Sequence, residues 1–222
     1  MTILERRRAA DLIRSIVAVL RTIPVDAGEG KTASARALDA VFADPETVLT
    51  TGALGDDLQA ALDGMLAGNA TLPSLLRATE QVAAIEATTP DTVELIGDCA
   101  ALVLAAAAER IATTTFDTRE DLIVERDRLV RQLDLSAIGA SNAGLRDLVV
   151  AVRALLSATV SALDDTIHTL PRRRTYRLGA ALPSLVLSTR FYGDGGSADD
   201  LVALNRVSNP LFMPIEGVFT AQ

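Results

Sequence analysis

Leu12, Ile13, Ile16, Val17, Leu20 and Ile23 recur three and four residues apart. That spacing lines one face of an α-helix, so residues 9–22 are predicted to form an amphipathic helix stopped by Pro24. A second helix is predicted over 32–43, with Leu38, Val41 and Phe42 on one face and Asp44-Pro45 as punctuation. Further helices are predicted over 57–66 and 73–87, the latter turning Leu75, Leu76, Val82 and Ile85 inward. Thr89-Pro90-Asp91 then opens a long helix reaching Ala112, with proline suited to the first turn and Asp91 favoured by the helix dipole. Asp117 and Glu120 resemble a capping box for the next helix, whose inward positions are Leu122, Leu129, Val130 and Leu133. After Ile138-Gly139-Ala140, Ser141 is predicted to cap the clearest stripe in the chain, which runs from Leu145 through Leu148, Val152, Leu155 and Leu163 to Leu170. Pro171 ends it.

Beyond Pro171 the period changes. Thr175–Leu178 reads as a short strand, Leu182–Phe191 as a helix and Tyr192–Gly196 as a turn. Ser197 is predicted to cap a helix over 198–206, Ser208-Asn209-Pro210 turns the chain, and Gly217–Thr220 reads as a second strand. The boundary falls at residue 170. Residues 1–170 are expected to form an alanine-rich helical domain of antiparallel helices, and residues 171–222 a small α+β module in the order βααβ. In that module Tyr192 and Phe212 are expected to fill a small core, and Asn205 to satisfy backbone groups at a helix end.

Composition supports a helical core built without large rings: the 222 residues include no tryptophan, and aromatics make up 3%. Charge divides the chain. The net charge is −8, yet residues 171–222 carry six arginines against four acids, so the acidity lies in the helical part. A duplex-binding protein of this size shows a basic face, so no direct nucleic-acid binding is expected. Arg172-Arg173-Arg174 reads as a solvated linker. Cys99 alone excludes an internal disulfide, and its apolar setting reads as a small buried hydrophobe. The first 23 residues mix Glu5, Asp11 and Arg14 into the apolar pattern and read as no secretion signal. The uncharged run Cys99–Ala108 is about half the ~20 residues that span a bilayer, so no membrane is expected.

Candidate chemistry is sparse. Gly28–Thr32, GEGKT, looks like the end of a phosphate-binding loop, but Val25 stands where the loop needs its first glycine and a helix precedes it. Asp164 and His168 share a helix face at ligand spacing, with no second cluster to complete a metal site. Glu94 and Asp98 also share a face, as paired carboxylates on solvated helices do. The serines lack a G-x-S-x-G elbow, and Cys99 has no histidine to partner it. The sequence therefore predicts no enzyme and no cofactor.

The last fifty residues carry a resemblance. Their order of strand, helix, Tyr-Gly-Asp turn, helix, asparagine and strand looks like a LysM module. More specifically, Leu182-Pro183-Ser184-Leu185, Tyr192-Gly193-Asp194, Leu204-Asn205-Arg206 and Pro210-Leu211-Phe212-Met213-Pro214 resemble the C-terminal end of the DNA circularisation (DNA circulation) proteins of Mu-like contractile-tailed phages. The match departs at Ile215-Glu216-Gly217, where that family usually has two glycines, and longer members begin with a β-rich domain. The resemblance implies a virion protein of the tail or baseplate, made in the host cytoplasm. It implies contacts with tube, hub, tape measure or baseplate wedge, and a ring of identical subunits, six copies before three. Tyr176, Leu182, Pro183, Tyr192, Gly193, Asp194, Asn205, Arg206, Pro210, Phe212 and Pro214 are its motif positions, expected to act as scaffold and as a docking surface. A peptidoglycan-binding LysM protein and a helical adaptor unrelated to phages are the other readings.

Overall fold

A computed structural model of the chain describes residues 3–221. Among the described residues are ten helices and a two-stranded antiparallel sheet, so the fold is mainly helical. The chain forms two compact units. One comprises the residues up to Thr114 with Glu125–Asp164, and the other Thr115–Val124 with the residues from Asp165 onward.

The first unit is helical. It contains α1 (Ile3–Leu20), α2 (Glu29–Ala43), α3 (Pro45–Thr51), α4 (Leu54–Ala67), α5 (Leu72–Ala83), α6 (Pro90–Thr113) and the greater parts of α7 (Arg119–Asn142) and α8 (Arg146–Ile167). The stripe predicted for α1 is the buried one: Ile13, Ile16, Val17 and Leu20 are almost fully enclosed, and the helix touches α2, α3, α5 and α6. Small residues let α2 and α4 cross closely. A Cβ at Gly30 would lie 2.6 Å from the Gly64 carbonyl oxygen, and one at Gly64 would lie 2.7 Å from the Ser34 nitrogen. Gly30, the second glycine of GEGKT, thus serves packing between helices.

Helix starts follow local chemistry. Asp44 caps α3 by accepting from the Thr47 N–H at 3.1 Å, and the Thr47 side chain first, then this N–H, hold its carboxyl below the ordinary aspartate range. Thr89 and Thr92 form a reciprocal capping box at α6, with Pro90 in the first turn. At α7 the cap is Thr118 rather than Asp117: its hydroxyl donates to the Asp121 carboxylate and accepts from the Asp121 N–H. The predicted break at Ile138-Gly139-Ala140 is instead the continuing end of α7, since one glycine costs a helix only about 1 kcal/mol. The chain turns at Gly144, whose φ is 76°, and α8 begins at Arg146.

The second unit contains β1 (Arg172–Arg177), α9 (Ser184–Tyr192), α10 (Ala198–Leu204) and β2 (Glu216–Ala221). The order βααβ is the expected one, with strands longer than the sequence indicated. They pair antiparallel from Arg172 opposite Ala221 to Arg177 opposite Glu216. The arginine triplet is therefore strand, not linker. Its middle member explains why: the Arg173 N–H donates to Glu120 at 2.8 Å, and its guanidinium donates to both Asp121 oxygens at 2.9 and 3.1 Å. The Arg119 N–H also donates to the Pro171 carbonyl at 2.9 Å, so residues 115–124 belong to this unit.

Tyr176, Leu187, Leu201 and Met213 form the core of the βααβ segment. Phe191 stacks on Phe219 at 4.3 Å, Tyr176 leans on Phe191 at 5.2 Å, and Tyr192 meets the Phe219 edge at 6.5 Å. Such pairs contribute about 0.5–1.5 kcal/mol each beyond the area they bury, which matters in so small a core.

Candidate functional site

Most of the motif positions hold the βααβ segment together. Asn205, at the end of α10, donates through Nδ2 to the Leu201 and Val218 carbonyls at 2.8 Å each and accepts the Val218 N–H through Oδ1 at 2.7 Å. One amide thereby closes a helix end and fastens it to β2. Tyr192 does the same from α9: its hydroxyl accepts the Thr220 N–H at 3.1 Å. Gly193 caps α9 in the left-handed region at φ 84°, where a Cβ is costly, and its N–H donates to the Thr189 carbonyl. Asp194 then accepts the Gly196 N–H at 2.9 Å through Oδ1, and its carbonyl accepts the Ser188 hydroxyl at 2.8 Å. Tyr176 is buried, its hydroxyl has no hydrogen-bond partner among the described residues, and burial raises its pKa.

Two loops meet at one end of this segment. The Leu178 N–H donates to the Ile215 carbonyl at 2.7 Å, Ser184 to Pro210 at 2.7 Å, and Met213 to Leu182 at 3.0 Å. These bonds lay residues 178–184 beside residues 210–215. Pro183 sits at the cap of α9 and Pro214 is half-buried. Met213 points inward and is fully enclosed. Phe212, expected in the core, is 66% exposed, and Leu211 is 62% exposed. That expectation is corrected: of three successive apolar residues, the one whose N–H is tied to Leu182 turns in, and its neighbours turn out.

Leu185, Val186 and Ile215 are also exposed, so five large apolar side chains lie on these loops and the first turn of α9. Ordinary burial would reverse the polarity of that helix. Ser184 and Ser188 are buried, while Leu185 and Val186 face solvent. Scattered exposed leucines need no explanation, whereas several on two bonded loops are a candidate for an interaction surface. The sequence carried a signal for it, since Leu185 and Val186 are out of phase with the inward Leu187 and Phe191.

Arg206 follows α10. It lies in the left-handed region at φ 53°, where the Arg206 N–H donates to Ala203 and the Val207 N–H to Val202. This is the helix-ending turn that glycine usually makes, and arginine there costs on the order of 1 kcal/mol. Arg206 is exposed, and so is Arg190, one turn along α9 from Val186.

The remaining candidates are not drawn into a site. Asp164 pairs with Arg126 at 2.6 Å. Asp98 has its pKa raised by burial and then by Glu94, without a third ligand: among the described residues no group of three potential metal ligands forms. Cys99 is buried and its thiol is pushed up to about 12, chiefly by desolvation and further by Asp98. No helix among the described residues is long and apolar enough to cross a membrane. Neither a family model nor a curated protein matches this chain.

Proposed function

We propose that the protein is an assembly component of a contractile phage or phage-like tail, docking near the baseplate on tube, hub, tape measure or wedge. In this reading it is no enzyme, and the βααβ segment is a LysM-like module that presents a docking end. The observation that carries it is the apolar end itself: Leu211 and Phe212 stand in solvent on two bonded loops whose motif residues serve as scaffold. The family resemblance supplies the particle. A ring of six copies, with three as the alternative, accords with the rotational symmetry of a baseplate.

The test replaces Leu211 and Phe212 together by aspartate in the particle-producing strain and images the particles. Both side chains are exposed, so the variant is expected to fold, stay soluble and fail to enter tails. Normal incorporation would overturn the proposal. A second reading follows from the exposed Phe212 ring, which could stack on a sugar as in wall-binding LysM modules. Saturable pull-down by insoluble peptidoglycan, lost in the same variant, would favour it.

A further inference from the structure

We infer that the outer edge of β1 at Thr175–Arg177 is a strand-addition site for an extended acidic segment of a partner protein. The inference depends neither on the exposed apolar loops nor on the particle proposed above.

The register fixes which backbone groups of the strand are already used. The Leu178 N–H donates to the Ile215 carbonyl, so the even-numbered residues of β1 bond to β2, and Arg173, Thr175 and Arg177 turn their N–H and C=O groups outward. Their counterparts in β2, Thr220, Val218 and Glu216, turn outward on the other side. Side chains close that far edge: Asn205 takes both backbone groups of Val218, and the Tyr192 hydroxyl takes the Thr220 N–H.

The β1 edge is closed only at its start. There the Arg119 N–H donates to the Pro171 carbonyl, and Glu120 accepts the Arg173 N–H. Further along, the backbone N–H and C=O of Thr175 and the backbone N–H of Arg177 have no partner among the described residues, and both residues are exposed. Folded chains usually cover or pair such groups, because they are a template for another strand. A third strand would also extend a sheet that has only two.

Charge on the strand itself selects the occupant. Of its four arginines, Arg173 is held by Asp121 and Arg177 by Glu216. Arg172 and Arg174 are exposed and make no ion pair among the described residues. The strand contains no acid, so a second copy of β1 would bring no counter-charge, and pairing about Thr175 would set Arg173 opposite Arg177. An acidic segment has the opposite effect: an acid next to the residue that bonds Thr175 stands opposite Arg174. The open stretch offers few bonds, so the contact alone is weak and suits a segment held nearby by other contacts.

Amide hydrogen exchange of the full chain tests the site, with a short capped peptide alternating threonine and aspartate as the probe. In the free chain the Thr175 and Arg177 amides should exchange fast while those of Arg174 and Tyr176 are protected; protection of Thr175 without peptide overturns the inference. Adding the peptide at roughly 1 mM should slow exchange at Thr175 and Arg177. Methylating the threonine nitrogens of the peptide, which face the edge, should abolish that protection, and methylating the aspartate nitrogens should not. Arg174→Glu should weaken binding about fivefold, the scale of an opposed charge pair. Thr175→Pro removes an outward N–H and no ladder bond, so it should keep the fold and lose the protection at Arg177. If that variant does not fold, the methylated peptides decide alone, since they leave the chain untouched. No protection at that peptide concentration, equal effects of the two methylations, or equal protection by a peptide with lysine in place of aspartate overturns the inference. Protection that grows with protein concentration alone also overturns it, because a second copy would then be the occupant.

Discussion

Asn205 occupies one position and satisfies three backbone groups, two carbonyls and one N–H. Asn205→Ala should leave Val218 with unmet groups and destabilise the second unit by about 1–3 kcal/mol, measured by denaturant unfolding. Asp44 behaves differently because its role depends on charge. Its folded pKa is lowered, so its contribution is full above the ordinary aspartate pKa and is lost as pH falls through the depressed value. The difference in stability between the native chain and Asp44→Ala should therefore shrink on acidification below that range; a difference independent of pH would remove the cap. Residue roles were unevenly legible. Asn205 and Gly193 were readable as helix-end chemistry, whereas Phe212 was misplaced because a loop has no period to say which of Leu211, Phe212 and Met213 turns inward.

At the scale of elements, the α2–α4 crossing depends on missing side chains. Gly64→Ala would put a methyl 2.7 Å from the Ser34 nitrogen and 2.9 Å from the Gly30 oxygen, both of them backbone atoms that cannot swing aside. A loss of about 1–3 kcal/mol is expected despite alanine's better helix propensity, and a gain would show that the helices separate at no cost. Most helices were visible from their apolar period, and α6 from its Thr-Pro-Asp start. Their ends were less so. The α7 cap shifted to Thr118, and the start of α8 moved from Ser141 to Arg146, because glycine at 139 weakens a helix without ending it while Gly144 takes the turn.

For the whole molecule, the division into units could not be read locally. Residues 115–124 join the second unit through bonds from Arg173 to Glu120 and Asp121, more than fifty positions apart in the chain. The arginine triplet looks like a linker until that distant partner is present. A linker would be cut early by trypsin; a paired strand should be protected at Arg172–Arg177 until the second unit opens, which mass mapping of limited digests will decide. The same division gives the protein a spectroscopic asymmetry. With no tryptophan and two tyrosines, both of which lie in the second unit, its ultraviolet emission reports on one unit only. Far-ultraviolet dichroism is weighted to the helices of the other. Superimposable melting curves from these two signals would mean that the units unfold as one cooperative body, and separated curves would assign each its own midpoint without a single label being attached.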